Sequence, residues 1–241
     1  MTSRKRFKGI IFDKDGTLFD FQSTWSPMMV NLLNVLCRGD RECSRQKGYL
    51  LGFDFDKELY LPESTFIAGT PKQFVEQLLA QFKGWSEVEL IRLLNEITEA
   101  TEQVEVVPLE PFLTKLQKAS YALGVATNDS EEDARRQLGE KGILKYFDFL
   151  AGFNSGYGSK PDPDMLLAFC QQSRIHPAET VMVGDSKSDL VAGKRAGMFT
   201  VAVLSGVAKS EDLAQHANLI IQDIGELWDA LGGECIFLLD G

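Results

Sequence analysis

Six short stretches of this chain are apolar almost without interruption: "FKGIIFD" at 7–13, "YALGVATND" at 121–129, "YFDFLAG" at 146–152, "TVMVGD" at 180–185, "FTVAVL" at 199–204 and "ANLII" at 217–221. They are rich in β-branched and aromatic residues and do not alternate with polar ones. A strand of that kind must be covered on both faces, which points to a parallel sheet sandwiched between helices. Helical patterns fill the gaps between them. "LEPFLTKLQKA" follows Pro108, "SEEDARRQLGEKG" opens on Ser130 as an N-cap, "DPDMLLAFCQQS" carries Pro163 near its start, and "SKSDLVAGKRAG" ends on Gly197 as a C-cap. Strand and helix alternate from about residue 108 to 231, so the expected fold class is α/β: a doubly wound, Rossmann-like parallel-sheet core.

Residues 20–104 break that rhythm. They offer mainly helical patterns ("SPMMVNLLNVLC", "TPKQFVEQLLAQF", "SEVELIRLLNEITEATEQV"), while 48–70 reads as loop with a short helix. The expected organisation is a core from 1–19 and 105–241 with an inserted α-helical cap at 20–104. The connections near Phe19–Thr24 and Glu102–Pro108 would be its hinges.

The polar residues that interrupt this plan fall at strand ends. Asp13 and Asp15 follow the first apolar run and, two apart on an extended chain, share a face. Two close carboxylates persist when a cation lies between them or one holds a proton. Read alone, D-x-D-G-T also fits a turn closed by side-chain hydrogen bonds. Thr127, Asn128 and Asp129 end the second run; the Thr127 hydroxyl could meet an anion at a helix N-terminus, or simply cap it. Lys160 lies in "GSKPDP" ahead of a helix, and Asp185 and Asp189, four apart, follow "VMVG". Asp185 and Asp189 also suit helix capping. Taken together, these residues gather at the carboxyl edge of the sheet, where open α/β folds bind ligands. Acids, a hydroxyl and one ammonium suit Mg²⁺ and a phosphate, since Mg²⁺ takes hard oxygen ligands. His176, before Pro177, reads as a turn residue, and no histidine-based zinc or triad site is expected.

The net charge of −10 disfavours nucleic acid and anionic membranes as partners. No apolar run approaches the length of a membrane helix, and the start "MTSRKRFKGIIFD" lacks the apolar segment of a secretory signal, so a cytoplasmic protein is expected. Cysteines 37, 43, 170 and 235 show no C-x-x-C spacing and are expected to be reduced thiols.

In order, "FDKDGTL", "ATND", "GSKPDP" and "GDSKSD" resemble the four motifs of the haloacid dehalogenase-like superfamily, in particular its Mg²⁺-dependent, phosphoglycolate phosphatase-like branch with a helical cap. The resemblance implies that Asp13 is the nucleophile forming an aspartyl-phosphate and Asp15 the general acid, then base. It implies Mg²⁺ held by Asp13, the Asp15 carbonyl and Asp185, with Asp189 ligating or holding a bound water. Thr127 and Lys160, with Asn128, would bind the phosphoryl oxygens. The implied activity is hydrolysis of a small phosphorylated metabolite by a monomer or homodimer. A phosphosugar mutase of the same superfamily and a non-enzymatic phosphate-responsive module are the alternatives. In the cap, Arg38, Arg41, Arg45 and Lys72 could meet a second acidic group of the substrate or serve as ordinary surface charges. Lys14, between the two acids, fits the motif and says little about substrate.

Overall fold

A computed structural model describes residues 7–62, 64–68 and 71–232, and the chain divides into two compact units, Met1–Asp20 with Glu105–Gly241, and Phe21–Val104. The basic start (Arg4, Lys5, Arg6) and the apolar tail "GGECIFLLDG" from Gly233 onward lie outside the described residues.

The first unit opens with β1 (Gly9–Phe12), every residue of which is buried. The chain then enters the second unit, which is mainly helical: α1 (Phe21–Leu36), α2 (Arg41–Leu50), a short antiparallel pair β2 (Phe53–Asp54) and β3 (Leu59–Tyr60), then α3 (Thr65–Ala68), α4 (Pro71–Gln81) and α5 (Glu87–Glu99). Aromatic rings fill its centre. Tyr60 packs edge-on to Phe21 and Phe53 and stacks on Phe66, with centroids 5.0–5.2 Å apart. A reciprocal capping box starts α5, with Ser86 and Glu89 each accepting the other's backbone N–H.

Two features of this unit depart from the sequence expectation. Helix α2 carries no signal in the sequence: "RECSRQKGYL" buries only Ser44 and Gly48 and so shows no apolar stripe. The segment read as loop holds the β2–β3 hairpin, whose strands of two residues are too short to print a period. The thiol expectation is also corrected. Cys37 and Cys43 form a disulfide, Cα atoms 5.8 Å apart. The chain reverses between α1 and α2 through Arg38 and Gly39, both at positive φ, and that turn brings the pair together. Cys170 is a free, buried thiol, and Cys235 lies outside the described residues.

Back in the first unit, strands and helices alternate: α6 (Leu109–Lys118), β4 (Ala122–Ala126), α7 (Glu131–Glu140), β5 (Phe149–Ala151), α8 (Asp164–Ser173), β6 (Thr180–Gly184), α9 (Lys187–Ala196), β7 (Phe199–Val203), α10 (Ser210–Ala214), β8 (Leu219–Ile221) and α11 (Leu227–Ala230). The six strands lie parallel in the order β5-β4-β1-β6-β7-β8. All six predicted strands are present, with the doubly wound topology. The helices begin and end as the capping residues dictate: Ser130 accepts the Asp133 N–H at α7, and Gly197 closes α9 in the left-handed region.

Alternate residues of β1 feed two cores. Ile10 and Phe12 join Leu113, Leu116 and Leu138 on one face, while Ile11 joins Met165, Phe169 and Met182 on the other. Central β1 pairs with β4 on one side and β6 on the other, with Phe12 opposite both Val125 and Val183. The strand order therefore reverses at β1, and its carboxyl end is a switch point, where this class of sheet leaves a crevice. No described helix is long and apolar enough to cross a membrane.

Candidate active site

Asp13 is the first residue beyond β1, and its N–H still joins the ladder by donating to the Val183 carbonyl at 2.9 Å. Asp185 is likewise the first residue beyond β6, and Asp189 stands in the first turn of α9. All three are buried, and each offers a carboxylate oxygen within 4.8 Å of the others. Lys160, also buried, reaches in from the loop before α8. Its ammonium lies 2.6 Å from Asp13 Oδ1 and 2.6 Å from Asp189 Oδ1, and donates to the Ala126 carbonyl at 2.7 Å. Asp189 does two jobs at once: its Oδ2 accepts the Ser186 N–H in the capping box of α9, and its Oδ1 faces Lys160. Asp189 therefore caps α9 and also stands among the gathered carboxylates.

One ammonium among three buried carboxylates leaves the group under-neutralised. Burial pushes Asp13 up from 3.8 to about 7 despite the opposing charge of Lys160, with Asp189 adding to the rise. Burial, then Asp13 and Asp189, push Asp185 well above the usual carboxylate range. Burial opposes the charge of Lys160, but the two carboxylates outweigh it and hold the ammonium above its ordinary value. A hard divalent cation fits this donor set: the atoms are oxygens, they converge, and their charge is uncompensated.

The backbone makes room for this convergence. Gly16 sits at φ +84°, and a Cβ there would run into the Asp185 carboxylate; a Cβ at Gly206 would meet the same carboxylate. Ser205 ties this second loop down by donating its hydroxyl to the Gly16 carbonyl at 2.7 Å. Sequence reading did not single out Ser205 and Gly206. Their only signal was their position just past an apolar run.

Thr127 is buried at the end of β4, and its hydroxyl accepts the Asp129 N–H at 3.1 Å, leaving its own proton to donate. Asn128, expected to assist with phosphate, clasps the backbone of Lys160: its Nδ2 donates to the Lys160 carbonyl (3.0 Å) and its Oδ1 accepts the Lys160 N–H (2.9 Å). It thereby holds the loop that carries the ammonium.

Asp15 lies on the tight turn after β1, where the Lys14 carbonyl accepts the N–H groups of Leu18 and Phe19. Its Oδ2 is 2.6 Å from the ammonium of Lys14, which is 0% exposed. That ammonium also lies 3.3 Å from Asp129 Oδ2 and donates to Gln137 Oε1 at 2.5 Å. Burial opposes the charge of Lys14, and Asp15 and Asp129 outweigh it. Sequence reading set Lys14 aside and did not consider Gln137. The available signal was a lysine held between acids where a buried strand ends. In the helical unit, Arg41 and Arg45 pair with Asp56 at 3.0 and 2.6 Å, as surface charges commonly do.

The model of haloacid dehalogenase-like hydrolases matches residues 7–197. The chain belongs to that family. Among curated relatives, the pyrophosphatase PpaX of Bacillus velezensis is 25% identical over 95% of this chain and 98% of its own length. The phosphoglycolate phosphatase of Escherichia coli is 35% identical over 50% of this chain and 48% of its own length. A solved structure of a HAD phosphatase from Thermococcus onnurineus superposes with a TM-score of 0.65 at 24% identity, covering 94% of this chain and 99% of that one. As a member of that family it is a hydrolase, and relatives named phosphatase and pyrophosphatase stand beside it.

Proposed function

We propose that this hydrolase is a Mg²⁺-dependent phosphatase of small phosphorylated metabolites, working through an aspartyl-phosphate on Asp13. The observation that carries the reading is the buried group at the switch point: the Asp13, Asp185 and Asp189 carboxylates within 4.8 Å of one another, with the Lys160 ammonium against two of them. A phosphate dianion cannot approach such carboxylates unaided. At an effective dielectric of 20, like charges 4 Å apart repel by about 4 kcal/mol. Asp13, Asp185, Asp189 and the Asp15 carbonyl would hold the cation, which when bound supplies the positive charge that offsets this repulsion.

The remaining chemistry belongs to the chain. The Asp13 carboxylate attacks phosphorus, the bond to the ester oxygen breaks, and Asp15 gives its proton to the departing alkoxide. Asp15, now a carboxylate, takes a proton from water as that water attacks phosphorus; the acyl-phosphate bond breaks, and inorganic phosphate leaves. Lys160 and the Thr127 hydroxyl bind the transferring oxygens, and Asn128 keeps Lys160 in place. The helical unit would act as a cap that selects the alcohol. Phosphoglycolate and pyrophosphate are the first substrates to try, because the relatives' names specify them.

Phosphate release from p-nitrophenyl phosphate, with and without Mg²⁺, tests the reading. Wild type is expected to turn over only with the ion, and Asp13→Asn to lose at least about 10³-fold, as for the loss of a nucleophile. No release by wild type under any ionic condition would overturn the function, and full activity in Asp13→Asn would overturn the nucleophile.

A further inference from the structure

The ammonium of Lys14 is enclosed. It meets Asp15 Oδ2 at 2.6 Å, Asp129 Oδ2 at 3.3 Å and Gln137 Oε1 at 2.5 Å, and no part of the residue reaches solvent. An ammonium carries three donors, and oxygens from three separate stretches of the chain lie against this one. Asp15 comes from the turn after β1, Asp129 from the loop between β4 and α7, and Gln137 from the buried stripe Ala134, Gln137, Leu138 of α7. A glutamine at a core position of a helix is costly unless its amide has work to do there. Asp15, by contrast, stays partly accessible, its side chain 20% exposed.

We propose that Lys14 is a positioning residue for proton transfer: anchored from behind by Asp129 and Gln137, its ammonium fixes the Asp15 carboxyl group in the orientation that serves the ester oxygen. The proposal rests on the acid–base role of Asp15 given above. A proton donor on a turn has rotamers to lose, and each misdirected rotamer is an unproductive complex. Lys14 is anchored by Gln137 of α7, whose Leu138 packs with Ile10 and Phe12, while Asp13 is held by Lys160 from the loop before α8, whose Met165 and Phe169 pack with Ile11. Two lysines thus hold two acids, Lys160 against Asp13 and Lys14 against Asp15, one serving the nucleophile and the other the acid. The competing account makes Lys14 a strut that only neutralises Asp129 and joins β1 to α7.

The two accounts separate on leaving-group dependence. p-Nitrophenolate departs without a proton, whereas an alkoxide needs one. The experiment measures kcat/KM with Mg²⁺ for p-nitrophenyl phosphate and for glycerol 3-phosphate or phosphoglycolate, whichever alkyl ester wild type turns over faster. Lys14→Met is expected to lower the alkyl-to-nitrophenyl ratio of kcat/KM about 10- to 100-fold, the same direction as Asp15→Asn, because part of a general-acid contribution is lost. An equal fall for both substrates, or no fall, overturns the proposal. If Lys14→Met does not fold by thermal melt, Asp129→Asn takes its place: a ratio lowered about 3- to 10-fold supports positioning and an unchanged ratio sinks it. Wild type that releases no phosphate from p-nitrophenyl phosphate or from either alkyl ester rejects the phosphatase reading itself, and Asp15→Asn with an unchanged ratio rejects the acid, so each failure is recognisable.

Discussion

At the scale of single residues, Asp13 shows what the site costs the fold when no cation is present. Burial lifts its carboxyl group from 3.8 to about 7, against the pull of Lys160 and with the push of Asp189. Between those values the folded chain keeps a proton that the unfolded chain has released. The folded state binding more protons means that stability falls as pH rises through this window, by at most about 1.4 kcal/mol per pH unit. Asp13→Asn has no such group. In the presence of a chelator, the melting temperature of Asp13→Asn minus that of wild type is therefore expected to grow from about pH 4 to about pH 7 and then level. Thermal melts across that range check it, and a flat or falling difference would show that Asp13 is neutralised by other means. Asp13, Asp15, Asp185 and Asp189 were legible because charges are tolerated only at the ends of strands buried on both faces. Lys14 was not, because a lysine's reach along its stem says nothing about which partners the fold brings to it.

At the scale of elements, the site is a set of loop turns at the ends of β1, β4, β6 and β7, and glycines decide how closely they approach. Gly16 and Gly156 both have φ near +85°, but a Cβ at Gly16 would strike Asp185 while none of the described atoms lies within 4 Å of one at Gly156. Gly156→Ala is expected to cost the backbone penalty alone, about 1–2 kcal/mol, with activity retained. Gly16→Ala is expected to cost more and to abolish phosphate release, since the Asp185 carboxylate must move. Melts and activity of the two variants, side by side, check this; equal losses would mean that the loop at Gly16 relaxes freely. The six core strands and their helices were readable from continuous apolar runs and capping residues. Helix α2, the β2–β3 hairpin and the Cys37–Cys43 disulfide were not. The first lacks an apolar stripe, the second is too short to show a period, and the third depends on a turn that joins residues six apart.

For the molecule as a whole, a net charge of −10 sits on a fold whose most confined carboxylates face one another. Mg²⁺ binding only to the folded state should stabilise it by about 2.7 kcal/mol at 100 times its Kd, raising the melting temperature by roughly 5–10 °C for a chain of this size. Asp185→Asn should lose most of that rise. Calorimetry with titrated Mg²⁺ checks both, and an ion-dependent rise that persists in Asp185→Asn would place the ion elsewhere. The sequence by itself determined the class of fold, the strand ends and the chemical types gathered there, because unbroken apolar runs admit one kind of sheet and exile charge to its edge. Only the tertiary structure decided which of those charges meet, which lysine serves which acid and where a glycine must stand, because these depend on the register and spacing of strands far apart in the chain.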